Sequence, residues 1–70
     1  MAQQLQSALV ILRLKQVIAR VGLSRSSIYL KISLQQFPKP ISLGARAVGW
    51  LESEIEEWLA HQIKQSRKAA

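Results

Sequence analysis

The stretch LKQVIARVGLSRSSIYLKI, Leu14–Ile32, decides the fold. Leu14, Val17, Ile18 and Val21 stand at i, i+3, i+4 and i+7, one apolar stripe of a short amphipathic helix, and Gly22 follows where a left-handed C-terminal cap belongs. The spacing predicts a first helix over Leu14–Val21, with no Ser, Thr, Asp or Asn cap at its start. After Leu23, Ser24 is a good N-cap for a second helix that carries Ile28 and Ile32 four apart. Helix, glycine turn, helix is the outline of a helix-turn-helix. On the second helix Arg25, Ser26, Tyr29, Leu30 and Ser33 share one side, and Ser27, Ile28, Lys31, Ile32 and Leu34 the other. An arginine, hydroxyls and a tyrosine at a helix N-terminus suit hydrogen bonding to base edges or phosphates. A glycine-turned helix pair is nevertheless common in proteins that never touch DNA.

Downstream, Phe37-Pro38-Lys39-Pro40 cannot continue a helix, because each proline disfavours the helical region for the residue before it. Ile41-Ser42-Leu43 and Val48-Gly49-Trp50 alternate with period two around Gly44-Ala45-Arg46-Ala47, which predicts a β-hairpin with Arg46 near its tip. A lone two-stranded hairpin is marginal, so a short strand at Val10–Arg13 is the expected third partner. A basic-tipped hairpin after a helix-turn-helix is a wing. Leu51, Ile55, Trp58, Leu59 and Ile63 then mark a last amphipathic helix of three to four turns. Its expected start is a Ser53–Glu56 capping box, with glutamates at the N-terminal turns and Lys64, Arg67 and Lys68 near the end to suit the macrodipole. Trp50 and Trp58 read as core anchors.

The 70 residues carry ten Lys or Arg against four Glu, no Asp and no Cys, for a net charge of +6. From Met1 to Leu51 the cations Arg13, Lys15, Arg20, Arg25, Lys31, Lys39 and Arg46 meet no acid, an imbalance that favours a polyanionic partner. A chain this short makes one domain, 1–70, with 1–8 and 66–70 expected as frayed tails. Without cysteine there is no disulfide framework, thiolate zinc site or cysteine nucleophile. Glu56 and Glu57 are explained as a helix start, His61 is a lone histidine with no Asp to orient it, and Gly22, Gly44 and Gly49 form no phosphate loop. Enzyme is the least supported class, and no cofactor or metal is expected. The longest apolar run, Ala8–Leu12, is far too short to span a bilayer, and the start lacks the basic residues of a signal peptide. A cytoplasmic, nucleoid-associated location is expected, with no membrane partner.

Three stretches together, Gly22–Tyr29, Phe37-Pro38-Lys39 and Leu43–Leu59, closely resemble the AlpA family of prophage regulators, and the resemblance runs from about Ile11 to Arg67. The V-G-W-x-E-x-E-I-x-x-W-L segment from Val48 to Leu59 is its specific part. The resemblance implies a small winged helix-turn-helix, mainly α with a small antiparallel sheet, three helices and a hairpin wing. It implies a transcriptional regulator of a prophage or other integrated element that binds duplex DNA. Carried over by position, it makes Ser24, Arg25, Ser26 and Tyr29 base or phosphate contacts, Arg46 a wing contact and Lys39 a backbone contact. A homo-oligomer or a cooperative array on DNA fits such a regulator. The rival functions are an architectural excisionase that bends DNA for an integrase, and a protein-interaction or antirepressor module using the Leu30 side of helix two. Two positions depart from the family pattern. Leu30 and Lys31 stand in reversed order, so that either Lys31 snorkels from the inward side with Leu30 exposed, or the helix rotates or ends early. Gln35-Gln36 stands where the family tends to have a glycine or a longer polar loop.

Overall fold

The computed structural model describes residues 9–69; the expected N-terminal tail, 1–8, lies outside them. Its elements in chain order are β1 (Ile11–Leu12), α1 (Leu14–Val21), α2 (Arg25–Ser33), β2 (Ile41–Ser42), β3 (Val48–Leu51) and α3 (Glu52–Ala69). This is the expected winged helix-turn-helix architecture, mainly α with a small antiparallel sheet. The strand order is β1-β3-β2. Both pairings are antiparallel, with Ile11 opposite Leu51, Leu12 opposite Trp50, Ile41 opposite Gly49 and Ser42 opposite Val48. β1 and β2 are two residues each, and β1 gives the β2–β3 hairpin its third strand.

The core takes one residue from almost every segment: Leu12 from β1, Val17 from α1, Ile28 from α2, Phe37 from the proline segment, Trp50 from β3 and Ile55 from α3. Leu14, Ile18, Val21, Leu23, Ile32, Trp58 and Leu59 pack around it, half-buried. Gly49, opposite Ile41 on the central strand, is buried. A Cβ there would fall 2.5 Å from Cγ2 of Ile11 and 3.1 Å from the Leu12 carbonyl, so only glycine lets the outer strands lie this close.

The helix ends explain themselves locally. α1 has no hydroxyl or carboxylate cap, but the Gln16 side chain accepts from the Arg13 backbone N–H at 2.8 Å, the reaching-back half of a capping box. Gly22 closes α1 in the left-handed region, φ 73°, donating its N–H to the Ile18 carbonyl. Ser24 caps α2 as expected, its Oγ accepting from the Ser27 N–H at 3.1 Å. α2 neither rotates nor ends early: it reaches Ser33 with Lys31 half-buried and Leu30 exposed, the snorkelling alternative. It is closed by Gln35 at φ 59°, and the Gln36 N–H donates back to the Lys31 carbonyl at 2.7 Å. Gln35-Gln36 thus makes a left-handed turn without a glycine.

α3 departs from expectation in four respects. It begins at Glu52, directly after Leu51, so Ser53 lies inside the helix and is not its cap. The reason is the sheet: Leu51 is still paired with Ile11, and the Glu52 N–H donates to the Val10 carbonyl at 2.8 Å, so the residue preceding β1 satisfies the first helical donor. The helix is also longer than three to four turns, with 18 residues. Ser66–Ala69, assigned to a frayed tail, are helical. Finally, Ile63 is 50% exposed, so the packed stripe ends at Leu59.

Candidate nucleic-acid interface

The residues expected to meet DNA divide into three groups by the elements that hold them. Ser24, Arg25, Ser26 and Tyr29 lie at and beyond the N-terminus of α2, Lys39 lies in the proline segment, and Arg46 lies in the loop between β2 and β3. All six side chains are exposed.

Within the first group the geometry is partly preset. The Arg25 guanidinium carbon stands 5.8 Å from the centroid of the Tyr29 ring, a cation–π contact worth about 0.5–1 kcal/mol at an exposed site. Tyr29 in turn meets Trp50 edge-on, centroids 6.5 Å apart and ring planes at 67°. Ser24 contributes differently, because its hydroxyl accepts the Ser27 N–H and also bonds the Ser27 hydroxyl at 3.1 Å. Its side chain serves the start of α2 before any ligand. Ser26 faces outward.

The proline segment is fixed by the two tryptophans. The Trp50 indole N–H donates to the Pro38 carbonyl at 3.0 Å, and the Trp58 indole N–H to the Gln36 carbonyl at 2.8 Å. Phe37, buried between these anchors, packs edge-on against Trp58 with centroids 4.8 Å apart. Lys39 follows as an exposed cation on a pinned backbone. Trp50 therefore joins two groups of the candidate site, touching Tyr29 with its ring and Pro38 with its N–H. Trp50 is a core residue as expected, while Trp58 is only half-buried.

Arg46 sits in the hairpin tip with Gly44 and Ala45, all exposed, and the loop is closed by the Leu43 N–H donating to the Ala47 carbonyl at 2.7 Å. Its link to the other groups runs through the hairpin backbone, by β3 to Trp50 and by β2 to Pro40 and Lys39.

Sequence reasoning missed two things. It assigned the indoles to packing alone, although a tryptophan N–H inside a fold needs an acceptor, and the proline segment offers carbonyls that no ladder uses. It also counted Arg20 with the free cations. Arg20 pairs with Glu52 at 2.7 Å and Glu56 at 3.8 Å, so α1 and α3 neutralise one another's charges. Among the described residues no other Lys or Arg has an acid within ion-pair distance, so Arg25, Lys39 and Arg46 are among nine uncompensated cations.

No helix among the described residues is long and apolar enough to cross a membrane. Residues 10–63 match the family described as "Prophage CP4-57 regulatory protein (AlpA)". The chain is 42% identical over 65 residues to "DNA-binding transcriptional activator AlpA" of Escherichia coli (strain K12), covering 84% of this chain and 93% of that protein. It is also 46% identical over 52 residues to "Uncharacterized protein ORF88" of Enterobacteria phage P4, covering 74% of this chain and 59% of that protein.

Proposed function

The chain belongs to the AlpA family of prophage regulatory proteins, and on that premise we propose how it acts as a DNA-binding transcriptional regulator of a prophage or related integrated element. α2 enters the major groove of duplex DNA as the reading helix, the geometry of helix-turn-helix proteins generally. Arg25 addresses a base edge, its planar guanidinium suited to the paired acceptors of guanine. Ser26 and Tyr29 add hydrogen bonds to bases or phosphates. The start of α2 presents unused backbone donors and a partial positive charge to the same backbone. Lys39 and the wing residue Arg46 hold phosphates and so fix orientation without reading sequence.

The observation that carries this reading is the charge distribution over a pinned scaffold. Arg25, Lys39 and Arg46 are exposed and unpaired among the described residues, whereas Arg20 is the one cation there that meets acids. Catalysis forms no part of the proposal. One chain offers a single reading helix and one wing, a footprint at the small end for specific DNA complexes, which a homo-oligomer or a cooperative array of copies on the site would enlarge.

Salt dependence tests the reading. Each phosphate neutralised contributes about −0.9 to the slope of log affinity against log salt, so three to five engaged cations give roughly −3 to −5 per monomer. Affinity that ignores salt, or no binding to any duplex at low salt, contradicts the proposal and favours a protein-interaction role.

A further inference from the structure

Leu30 stands on the outward face of α2 at 59% exposure, more open than Tyr29 beside it at 37%. Its helical neighbours one turn away are Ser26, Ser27, Ser33 and Leu34. It is not among the half-buried apolar residues packed on the core. Ser33, which shares its face, donates its hydroxyl to the Leu30 carbonyl at 2.7 Å, so that hydroxyl is occupied by its own helix. α2 contains no acid; its charged residues are Arg25 and Lys31.

Leu30 has one exposed apolar neighbour a turn away, Leu34 at 54%, and otherwise serines, a smaller patch than the contiguous apolar surface a protein contact uses. It suits a polyanion that itself carries isolated apolar groups. In the major groove one base edge has such a group, the C5-methyl of thymine. Resting on the reading of α2 as the helix that enters the groove, we infer that Leu30 is a specificity-determining residue whose side chain packs on a thymine methyl. Leucine offers no donor or acceptor, so it distinguishes base pairs only through that methyl group. The reversed Leu30-Lys31 order thereby acquires a role: it places the apolar residue on the groove side and the cation inward.

The test uses duplexes that the wild-type protein selects from a random-sequence pool. Each thymine of a selected site is replaced singly by deoxyuridine, which removes the methyl and nothing else. At one position of the site, or at its repeat, wild-type affinity should fall about fourfold, the worth of one buried methyl group. There Leu30→Ala, with unchanged circular dichroism and melting temperature, should bind the thymine and deoxyuridine duplexes equally. If no deoxyuridine weakens binding, or Leu30→Ala keeps the same sensitivity, the inference is overturned while the DNA-reading role of α2 stands. If no duplex is selected at all, both the inference and the DNA-reading role of α2 fall.

Discussion

Tyr29 of α2 meets Trp50 of the central strand edge to face at 6.5 Å, while the same indole donates its N–H to the Pro38 carbonyl at 3.0 Å. One core side chain thus sets the position of α2 relative to the proline segment that carries Lys39. Positioning of this kind matters because an arginine must reach a base edge within hydrogen-bond distance.

Replacing Trp50 by Phe removes the indole N–H and leaves the Pro38 carbonyl without it. The expected loss is about 1–3 kcal/mol of stability, from the lost hydrogen bond and the reduced volume. Chemical denaturation measures it. A variant as stable as the wild type would show that the bond to Pro38 contributes nothing to the scaffold.

Trp58 combines packing and a hydrogen bond on the other side of the proline segment. Trp58→Ala removes the packing on Phe37 and the bond to Gln36, and should cost about 2–4 kcal/mol, less than for a wholly buried tryptophan. A domain of this size has little more than that to lose, so helical circular dichroism and DNA binding should disappear together near physiological temperature. A variant that keeps its melting temperature but loses DNA affinity would instead make Trp58 a DNA contact.

Gly49→Ala should destabilise by about 1–3 kcal/mol, the usual range for overpacking. The new Cβ would lie 2.5 Å from Cγ2 of Ile11, 3.0 Å from Cδ1 of Leu43 and 3.1 Å from the Leu12 carbonyl. The two side chains can shift, but the carbonyl belongs to the β1 backbone. Thermal melting of the variant checks this, and an unchanged midpoint would mean that the three strands are not held this closely.

Arg20→Ala breaks the exposed bridges to Glu52 and Glu56, which should change stability by less than about 1 kcal/mol. It should leave the salt slope of DNA binding unaltered, since an arginine already neutralised by acids releases no counterions from DNA. A slope shallower by about one unit would place Arg20 on the phosphates.

Much of this arrangement is legible in the sequence, for reasons tied to particular residues. Gly22 and Ser24 mark the turn because left-handed backbone and helix caps restrict residue choice strongly, and the observed α1 spans the expected residues while α2 starts at its expected cap. The hairpin follows from period-two alternation around Gly44-Ala45-Arg46-Ala47. What escaped was non-local. The start of α3 is decided by β1, whose Ile11 pairs with Leu51, and by the Val10 carbonyl just before it, and not by the local Ser53–Glu56 pattern. Likewise the Arg20 bridges and the indole bonds to Gln36 and Pro38 join residues that no short spacing connects. At the site, the facing of Arg25, Ser26, Tyr29 and Leu30 was legible from helical periodicity. The stacking of Arg25 on Tyr29 is a matter of side-chain conformation, on which periodicity is silent.

In the proposed division of labour α2 reads sequence and the wing holds phosphate, and the decisive experiment compares Arg25→Ala with Arg46→Ala on a selected site and on an unrelated duplex, at one salt concentration. Arg25→Ala should lose about 1–3 kcal/mol on the selected site and much less on the unrelated duplex, narrowing the preference between them. Arg46→Ala should weaken both by similar factors and leave that preference intact. Equal losses on both duplexes for both variants would contradict the account, because Arg25 would then hold phosphate and α2 would not be reading sequence through it.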